Sequence, residues 1–72
     1  TLAELLVGTE AVVLLITATG GVRHRLLAMG VLPDSVVRME QSGGPDDTFV
    51  VQLAGFPVTL SREEANGVLI SG

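Results

Sequence analysis

The apolar residues follow three different patterns along the chain, and each predicts a different element. Six consecutive apolar residues at 11–16 indicate a strand over residues 10–17 that is covered on both faces. After a break at Thr19-Gly20-Gly21, the residues Val22, Leu26 and Met29 recur at helical spacing. The pattern therefore predicts a first strand followed by a helix over about residues 22–29.

From Val36 onward the apolar residues alternate with polar ones, which is typical of half-buried strands. Residues 36–40 and 48–54 predict two such strands, separated by a polar, glycine-rich loop at 42–47. Gly55-Phe56 fits a tight hairpin turn with glycine first, and Pro57 can open the next strand, whose inward residues are Val58 and Leu60. Residues 68–70 form a last short apolar strand.

Glycines and capping residues mark where the helical elements begin and end. Gly30 fits the left-handed position after a helix, with Val31 placed to contact Leu26 and Pro33 preventing continuation. Thr1 with Glu4 and Ser61 with Glu64 have capping-box spacing. They predict single helical turns near residues 2–6 and 62–66.

These elements together predict a mainly β fold in one domain spanning residues 1–72. About five short antiparallel strands joined by tight turns favour a small closed or nearly closed barrel, because closure hides strand edges. The short helix at about 22–29 is inserted after the first strand. An open α+β sheet is the alternative.

Composition limits where so many apolar residues can go. A chain of 72 residues with 47% hydrophobic side chains has a small core, so part of the apolar surface is expected to face a partner or a second copy, as in a homo-oligomer. The longest apolar run is six residues, too short to span a membrane. The absence of cysteine and of a basic-then-apolar leader is typical of a cytoplasmic protein.

Charge and aromatic content exclude several classes of ligand. The net charge is −4, with four arginines and no lysine, which argues against binding the phosphates of nucleic acid. Two phenylalanines without tyrosine or tryptophan argue against stacking of bases and against a proline-rich peptide groove.

Few residues could carry enzymatic or metal chemistry. There is no cysteine, a single histidine and no phosphate-binding glycine loop, so we expect neither an enzyme nor a bound cofactor. His24 is a weak metal-ligand candidate, with Asp34, Glu40, Asp46 and Asp47 as possible oxygen donors. A solvated histidine on the outer face of the helix is the simpler interpretation.

The outer face of the predicted helix offers a different possibility. Leu27 lies opposite the apolar stripe, with Arg23 one turn before it and Arg25 at the border of the stripe. An arginine combined with an apolar anchor is a common composition for a protein-binding surface. The alternative is that the N-terminal turn or the 42–47 loop covers Leu27.

The segment Arg25-Leu26-Leu27-Ala28-Met29-Gly30-Val31-Leu32-Pro33 resembles the signature of the FeoA family of small ferrous iron transport accessory proteins. The resemblance extends over the whole chain, through residues 2–8, Leu53-Ala54-Gly55, Glu64-Ala65 and Val68-Leu69-Ile70. It implies an SH3-like barrel with the helix inserted between early strands. Transition-metal binding is a family-level property that the resemblance does not locate.

The resemblance also implies a cytoplasmic interaction module that contacts the GTPase region of the transporter FeoB and meets the membrane only through it. The contact region is then expected at Arg23, Arg25, Leu27, Met29 and Gly30. The same SH3-like module forms the C-terminal domain of iron-dependent repressors of the diphtheria-toxin-repressor type. That regulator and a transition-metal-binding module remain the alternatives.

Overall fold

A computed structural model describes residues 1–44 and 46–71 of the chain. A 3₁₀ turn at Leu2–Glu4 precedes two helices and five strands. The strands are β1 (Glu10–Ile16), β2 (Val36–Gln41), β3 (Thr48–Leu53), β4 (Phe56–Ser61) and β5 (Val68–Ser71), and the helices are α1 (Gly20–Ala28) and α2 (Arg62–Asn66). No helix among these residues is long and apolar enough to cross a membrane.

The five strands form one antiparallel sheet in the order β4-β3-β2-β1-β5. This confirms the predicted mainly β fold with five strands and an inserted helix. The sheet does not close on itself, because β4 and β5 are its outer strands and α2 connects them. The buried side chains form a single core, and the largest fully buried ones include Phe49, Leu2, Leu26 and Met39.

Helix α1 occupies Gly20–Ala28, so the prediction of 22–29 began two residues too late. Thr19 is the N-cap residue, and the two glycines expected to break the chain form the first turn, where no side chain is needed for packing. Of the predicted core stripe, Leu26 is fully buried and Val22 and Met29 pack partly against the core.

The end of α1 follows the sequence prediction closely. Gly30 adopts a φ of +89°, which is the left-handed conformation that glycine tolerates best. The backbone N–H of Gly30 donates to the Leu27 carbonyl and that of Val31 to the Leu26 carbonyl, each at 3.0 Å. This is the Schellman pattern, and its apolar contact is satisfied because Val31 and Leu26 are both fully buried.

Helix α2 is one short turn held by the predicted capping box. The backbone N–H of Ser61 donates to Glu64 Oε1 at 2.8 Å, and the backbone N–H of Glu64 donates to Ser61 Oγ at 3.2 Å. Gly67 ends the helix and is buried against Ala18, where an added Cβ would lie 2.5 Å from the Ala18 Cβ. The first helical turn is shorter than predicted, at Leu2–Glu4 instead of 2–6.

Strand β1 is not covered on both faces, so that prediction was wrong. Leu14 and Leu15 are 51% and 52% exposed, although they lie inside the continuous apolar run. The register between β1 and β5 shifts between Val13 and Leu15, which marks a β-bulge around Leu14. The apolar run therefore exposes two leucines, because the bulge interrupts the alternation that would bury one of them.

The hairpin between β3 and β4 turns one residue earlier than predicted. Leu53 pairs with Phe56, so the turn residues are Ala54 and Gly55, with φ values of +53° and +85°. Two positive φ values in a two-residue loop define a type I′ turn, which matches the twist of antiparallel strands. Phe56 consequently belongs to β4 and not to the turn.

The loop after β2 is held by a side chain of α2. Residues 42–44 and 46–47 are irregular, as the composition predicted, whereas position 45 lies outside the described residues. Arg62 Nε donates to Asp47 Oδ2 at 2.7 Å, and its guanidinium carbon lies 5.2 Å from the centre of the Phe49 ring. Arg62 therefore connects this loop to the core strand β3.

Candidate protein-docking site

An apolar groove of about 620 Å³ opens between the end of α1 and the tip of the β3–β4 hairpin. We call it the α1–hairpin groove. Its lining comes from the end of α1 (Met29 and Gly30), the start of β1 (Glu10), the residue before β2 (Ser35), β2 itself (Val36 and Arg38) and the β3–β4 hairpin (Gln52, Leu53, Ala54, Gly55, Phe56 and Val58). A groove with an apolar floor and few charges on its rim is suited to binding another protein.

The helix end supplies one wall of the groove. Met29 is the C-cap residue of α1 and is partly buried against the core, so the Schellman turn leaves the rest of its side chain on the groove. A Cβ at Gly30 would lie 3.9 Å from Leu53 Cδ2, which is ordinary contact. Gly30 thus brings the backbone close to the hairpin and is required there for its φ value, not for space.

The hairpin supplies the opposite wall through Phe56. Its register places Phe56 opposite Leu53, at the end of the row of inward-facing residues. The core does not extend that far, so Phe56 is 72% exposed whereas Leu53 is 7% exposed. A largely exposed aromatic side chain beside an apolar groove is the most prominent binding feature of this surface.

The polar side of the groove is formed by three polar side chains that lie next to each other on neighbouring strands, on the outer face of the sheet. Glu10 of β1 lies opposite Arg38 of β2, and Arg38 lies opposite Gln52 of β3. Charges of opposite sign on these neighbouring strands leave this side of the groove polar without a strong field of either sign.

Arg25, one of the predicted contact residues, is paired with α2. Its Nε lies 2.6 Å from Glu64 Oε2, and the carboxylate side chain is only 8% exposed whereas the arginine is 69% exposed. Arg25 lines a second cleft, of about 610 Å³, between α1, β4 and α2. The side chain of Arg25 therefore lines a different cleft from Met29 and Gly30, and its charge is opposed by a buried partner.

The remaining predicted residues lie along the exposed side of α1. Arg23 Nη1 donates to the Ile16 carbonyl at 3.1 Å, where β1 extends beyond its pairing with β2. Leu27 is 37% exposed, so its side chain is partly covered by neighbouring residues and partly open to solvent. His24 is exposed, and the described residues contain no group of three histidine, cysteine, aspartate or glutamate side chains arranged to hold a metal ion.

Of the predicted contact residues, Met29 and Gly30 line the groove, together with residues that were not predicted to belong to a site. Phe56, Val36 and Val58 were interpreted as turn or strand residues, although all three line the groove. An aromatic residue directly after a turn glycine, in a chain with only two phenylalanines, was the available signal for Phe56.

Comparison with known proteins gives a family and a set of structural relatives. The model of the FeoA domain family matches residues 1–71. The FeoA protein from Chlorobium tepidum is 29% identical, with a TM-score of 0.83 over 96% of this chain and 66% of that one. FeoA from Stenotrophomonas maltophilia, complexed with zinc, is 27% identical, with a TM-score of 0.84 over 97% of this chain and 87% of that one.

One structural relative of lower sequence identity is similar in fold. IdeR from T. acidophilum is 21% identical, with a TM-score of 0.83 over 96% of this chain but only 32% of its own length. The S. maltophilia protein is described as a prokaryotic SH3 domain protein, which agrees with the SH3-like barrel expected from the sequence. No curated protein matches the chain.

Proposed function

We infer that this chain, which belongs to the FeoA family, is a non-catalytic module that binds the cytoplasmic GTPase region of a FeoB-type ferrous iron transporter. The family is associated with ferrous iron transport, and the S. maltophilia relative is described as a candidate activating factor for it. An accessory protein of this kind acts by contact. Its function therefore depends on a surface, which for this chain is the α1–hairpin groove.

The observation that carries the proposal is the exposure of Phe56 beside the groove. Leaving an aromatic ring 72% exposed forgoes the stabilisation that burial would give, so the position is better explained by contact with another molecule. Aromatic anchors next to a preformed apolar cavity carry much of the energy in protein interfaces. Met29 and Val58 are positioned to complete the cavity around a partner side chain.

The outer side of α1 extends this surface. Leu27, 37% exposed, adds apolar area next to the Met29-Gly30 turn, and Arg23 adds a cation whose Nη1 is oriented by the Ile16 carbonyl. Arg25 contributes differently, because its pairing with Glu64 limits its availability to a partner. We assign the main apolar contact to the groove and a flanking polar contact to α1. A partner on the cytoplasmic side of the transporter places the chain in the cytoplasm.

The proposal is tested by measuring binding of the whole chain to the isolated GTPase region of the transporter from the same organism. Titrations by isothermal calorimetry are run without nucleotide, with GDP and with a non-hydrolysable GTP analogue. We expect saturable binding that Phe56→Ala weakens by about tenfold, the loss of one exposed apolar anchor. Leu6→Ala is the matched control, since Leu6 is 74% exposed and does not line the groove.

Two results would contradict the proposal at different levels. Absence of binding at high micromolar concentration in all three nucleotide conditions would rule out the GTPase region as the partner. Binding that Phe56→Ala and Leu6→Ala reduce equally would retain the partner but exclude the groove as its site. Circular dichroism of each variant checks that the fold is unchanged.

A further inference from the structure

The outer face of the sheet carries a continuous band of apolar side chains that begins at the α1–hairpin groove. Val36 of β2 lines the groove and lies opposite Val12 of β1. Leu14 follows two positions later on the outer face of β1, and Leu15 lies opposite Leu69 of β5. Side chains two positions apart on a strand are roughly 7 Å from each other, so these five residues adjoin without a gap. We call them the outer band.

The β-bulge at Leu14 enlarges the outer band. In a regular strand either Leu14 or Leu15 would face the core, because successive side chains point to opposite faces. The bulge instead places both on the outer face, where each is half-exposed. Bulges commonly redirect side chains next to functional sites. The two leucines are therefore better explained by contact with another molecule than by the stability of the chain.

The outer band is uncharged, and charged residues border it. Glu10 and Arg38 form the neighbouring row of the outer face, two positions along β1 and β2 from the two valines. At the other border Asp34 is exposed, and its backbone N–H donates to the Val13 carbonyl at 2.7 Å. An apolar centre with a polar rim is the usual anatomy of a protein interface.

The groove alone is smaller than a typical protein interface. A standard interface buries roughly 800 Å² on each partner. The fold has principal extents of 27 × 25 × 20 Å, so an interface of that size takes in a whole face of it. A partner seated in the groove therefore also covers an adjoining face. The outer band is uncharged and continuous with the groove, whereas the outer side of α1 carries Arg23 and His24.

We propose that the partner bound in the α1–hairpin groove also covers the outer band, with an uncharged apolar surface of its own. This inference rests on the proposed function, in which the partner is the GTPase region of the transporter. Phe56 and Leu69 then lie at the two ends of one contact surface. A second copy is a poorer occupant, because two chains of net charge −4 repel each other. An anionic lipid surface is disfavoured for the same reason.

Calorimetric titration of the GTPase region with Leu69→Lys tests the far end of this surface. A lysine there places a charge in an apolar contact, so we expect binding at least about tenfold weaker than for the unmodified chain. Leu6→Lys is the matched control, because it makes the same change of charge at an exposed leucine outside the outer band. We expect the control to change the affinity by less than about twofold.

Alkylation of an introduced thiol gives a second measurement without adding a charge. The chain contains no cysteine, so iodoacetamide in excess labels only the new side chain in Leu69→Cys or Leu6→Cys. With the GTPase region at about ten times its Kd, we expect labelling of Leu69→Cys to be about tenfold slower, because only the unbound chain reacts. Labelling of Leu6→Cys should keep its rate. The mass of the chain reports both reactions.

The results distinguish failure of this inference from failure of the proposed function. No binding by the unmodified chain overturns both. If the chain binds and Phe56→Ala weakens binding, but Leu69→Lys and Leu6→Lys bind equally well, only the inference about the outer band is overturned. Protection of the Leu69→Cys thiol by phosphatidylserine-containing vesicles, or by a higher concentration of the chain itself, in place of the GTPase region also overturns it. The outer band would then belong to a membrane or to a second copy.

Discussion

The Nε of Arg25 on α1 lies 2.6 Å from Oε2 of Glu64 on α2, and this contact connects the two helices across a cleft. The other oxygen of the same carboxylate accepts the backbone N–H of Ser61. Glu64 thus uses one oxygen to cap its own helix and the other to hold a neighbouring one. A carboxylate that is 8% exposed needs such partners, because an unpaired buried charge is costly.

Replacing Arg25 by alanine should destabilise the fold as well as change the surface. We expect the free energy of unfolding to fall by about 1 kcal/mol, a modest value because the arginine is largely exposed to solvent. Urea denaturation of Arg25→Ala, Glu64→Gln and the double variant gives the coupling energy between the two residues. Strictly additive effects would show that the contact contributes nothing to stability.

Within the proposed docking site, the two sides of α1 should contribute unequally. Met29→Ala removes a side chain that lines the groove, so we expect it to weaken binding of the GTPase region more than Leu27→Ala. Leu27 is more exposed than Met29, but it lines no part of the groove. Calorimetric titration of both variants decides the order, and a larger loss for Leu27→Ala would move the main contact to the outer face of the helix.

Two glycines should resist substitution for different reasons. Gly30→Ala adds a Cβ that clashes with nothing, but the residue must keep a φ of +89°, which disfavours alanine. We therefore expect the free energy of unfolding to fall by about 1 to 2 kcal/mol. Gly67→Ala has an ordinary φ but brings its Cβ to 2.5 Å from that of Ala18.

The steric cost at Gly67 should therefore be relieved by a second substitution. We expect Gly67→Ala to lower the free energy of unfolding by about 2 kcal/mol and Ala18→Gly to restore part of that loss in the double variant. Thermal and urea denaturation measure both effects. Ala18→Gly combined with Gly30→Ala is the matched control, in which no recovery is expected.

The ion pair between Asp47 and Arg62 predicts a pH dependence. The Arg62 guanidinium, through its hydrogen bond and its charge, holds the pKa of the Asp47 carboxyl below its ordinary value. A carboxyl whose pKa is lowered on folding contributes stability above its unfolded pKa, and this is lost as the pH falls through the folded value. The melting temperature of the unmodified chain should therefore exceed that of Asp47→Asn at neutral pH, and the two should converge at about pH 3 or below.

Asparagine is the appropriate replacement because Asp47 has a φ of +58°, a conformation that asparagine also adopts readily. A difference in melting temperature that is the same at both pH values would show that the ion pair is not its source. Raising the salt concentration should also reduce the difference at neutral pH, since the pair is exposed.

Features defined by neighbours in sequence were predictable from the chain alone. The Schellman turn at Gly30 and the capping box of Ser61 and Glu64 each depend on residues within six positions, and both are present as expected. The alternation of apolar and polar residues in β2 and β3 likewise identified their buried faces. Successive side chains of a strand point to opposite sides, so the side that carries the apolar residues is the one that faces the core.

Features defined by distant partners were not predictable. The exposure of Leu14 and Leu15 depends on a bulge opposite β5, more than fifty positions later in the chain. The pairing of Arg25 with Glu64 joins residues with no local signal of contact. The hairpin turn was misplaced because Ala54 adopts a φ of +53°, which disfavours alanine and made Gly55 the expected first turn residue.

The groove was missed for a related reason. Met29 and Phe56 are 27 positions apart in the sequence, and only the packing of α1 against the sheet brings both to one cavity. Helical periodicity assigned Met29 to the core, and the structure shows it shared between the core and the groove.

The hydrogen bond from the Ser61 N–H to Glu64 also determines which backbone groups a partly unfolded molecule exposes. This hydrogen bond caps the start of α2. It also occupies the backbone N–H of Ser61, the last residue of β4, which points away from β3. Fraying of α2, a single turn, would therefore release Glu64 and uncover a strand end at the same moment. Melting of these five residues would therefore leave one more unpaired N–H at the end of an outer strand, the kind of group through which the sheets of different molecules join.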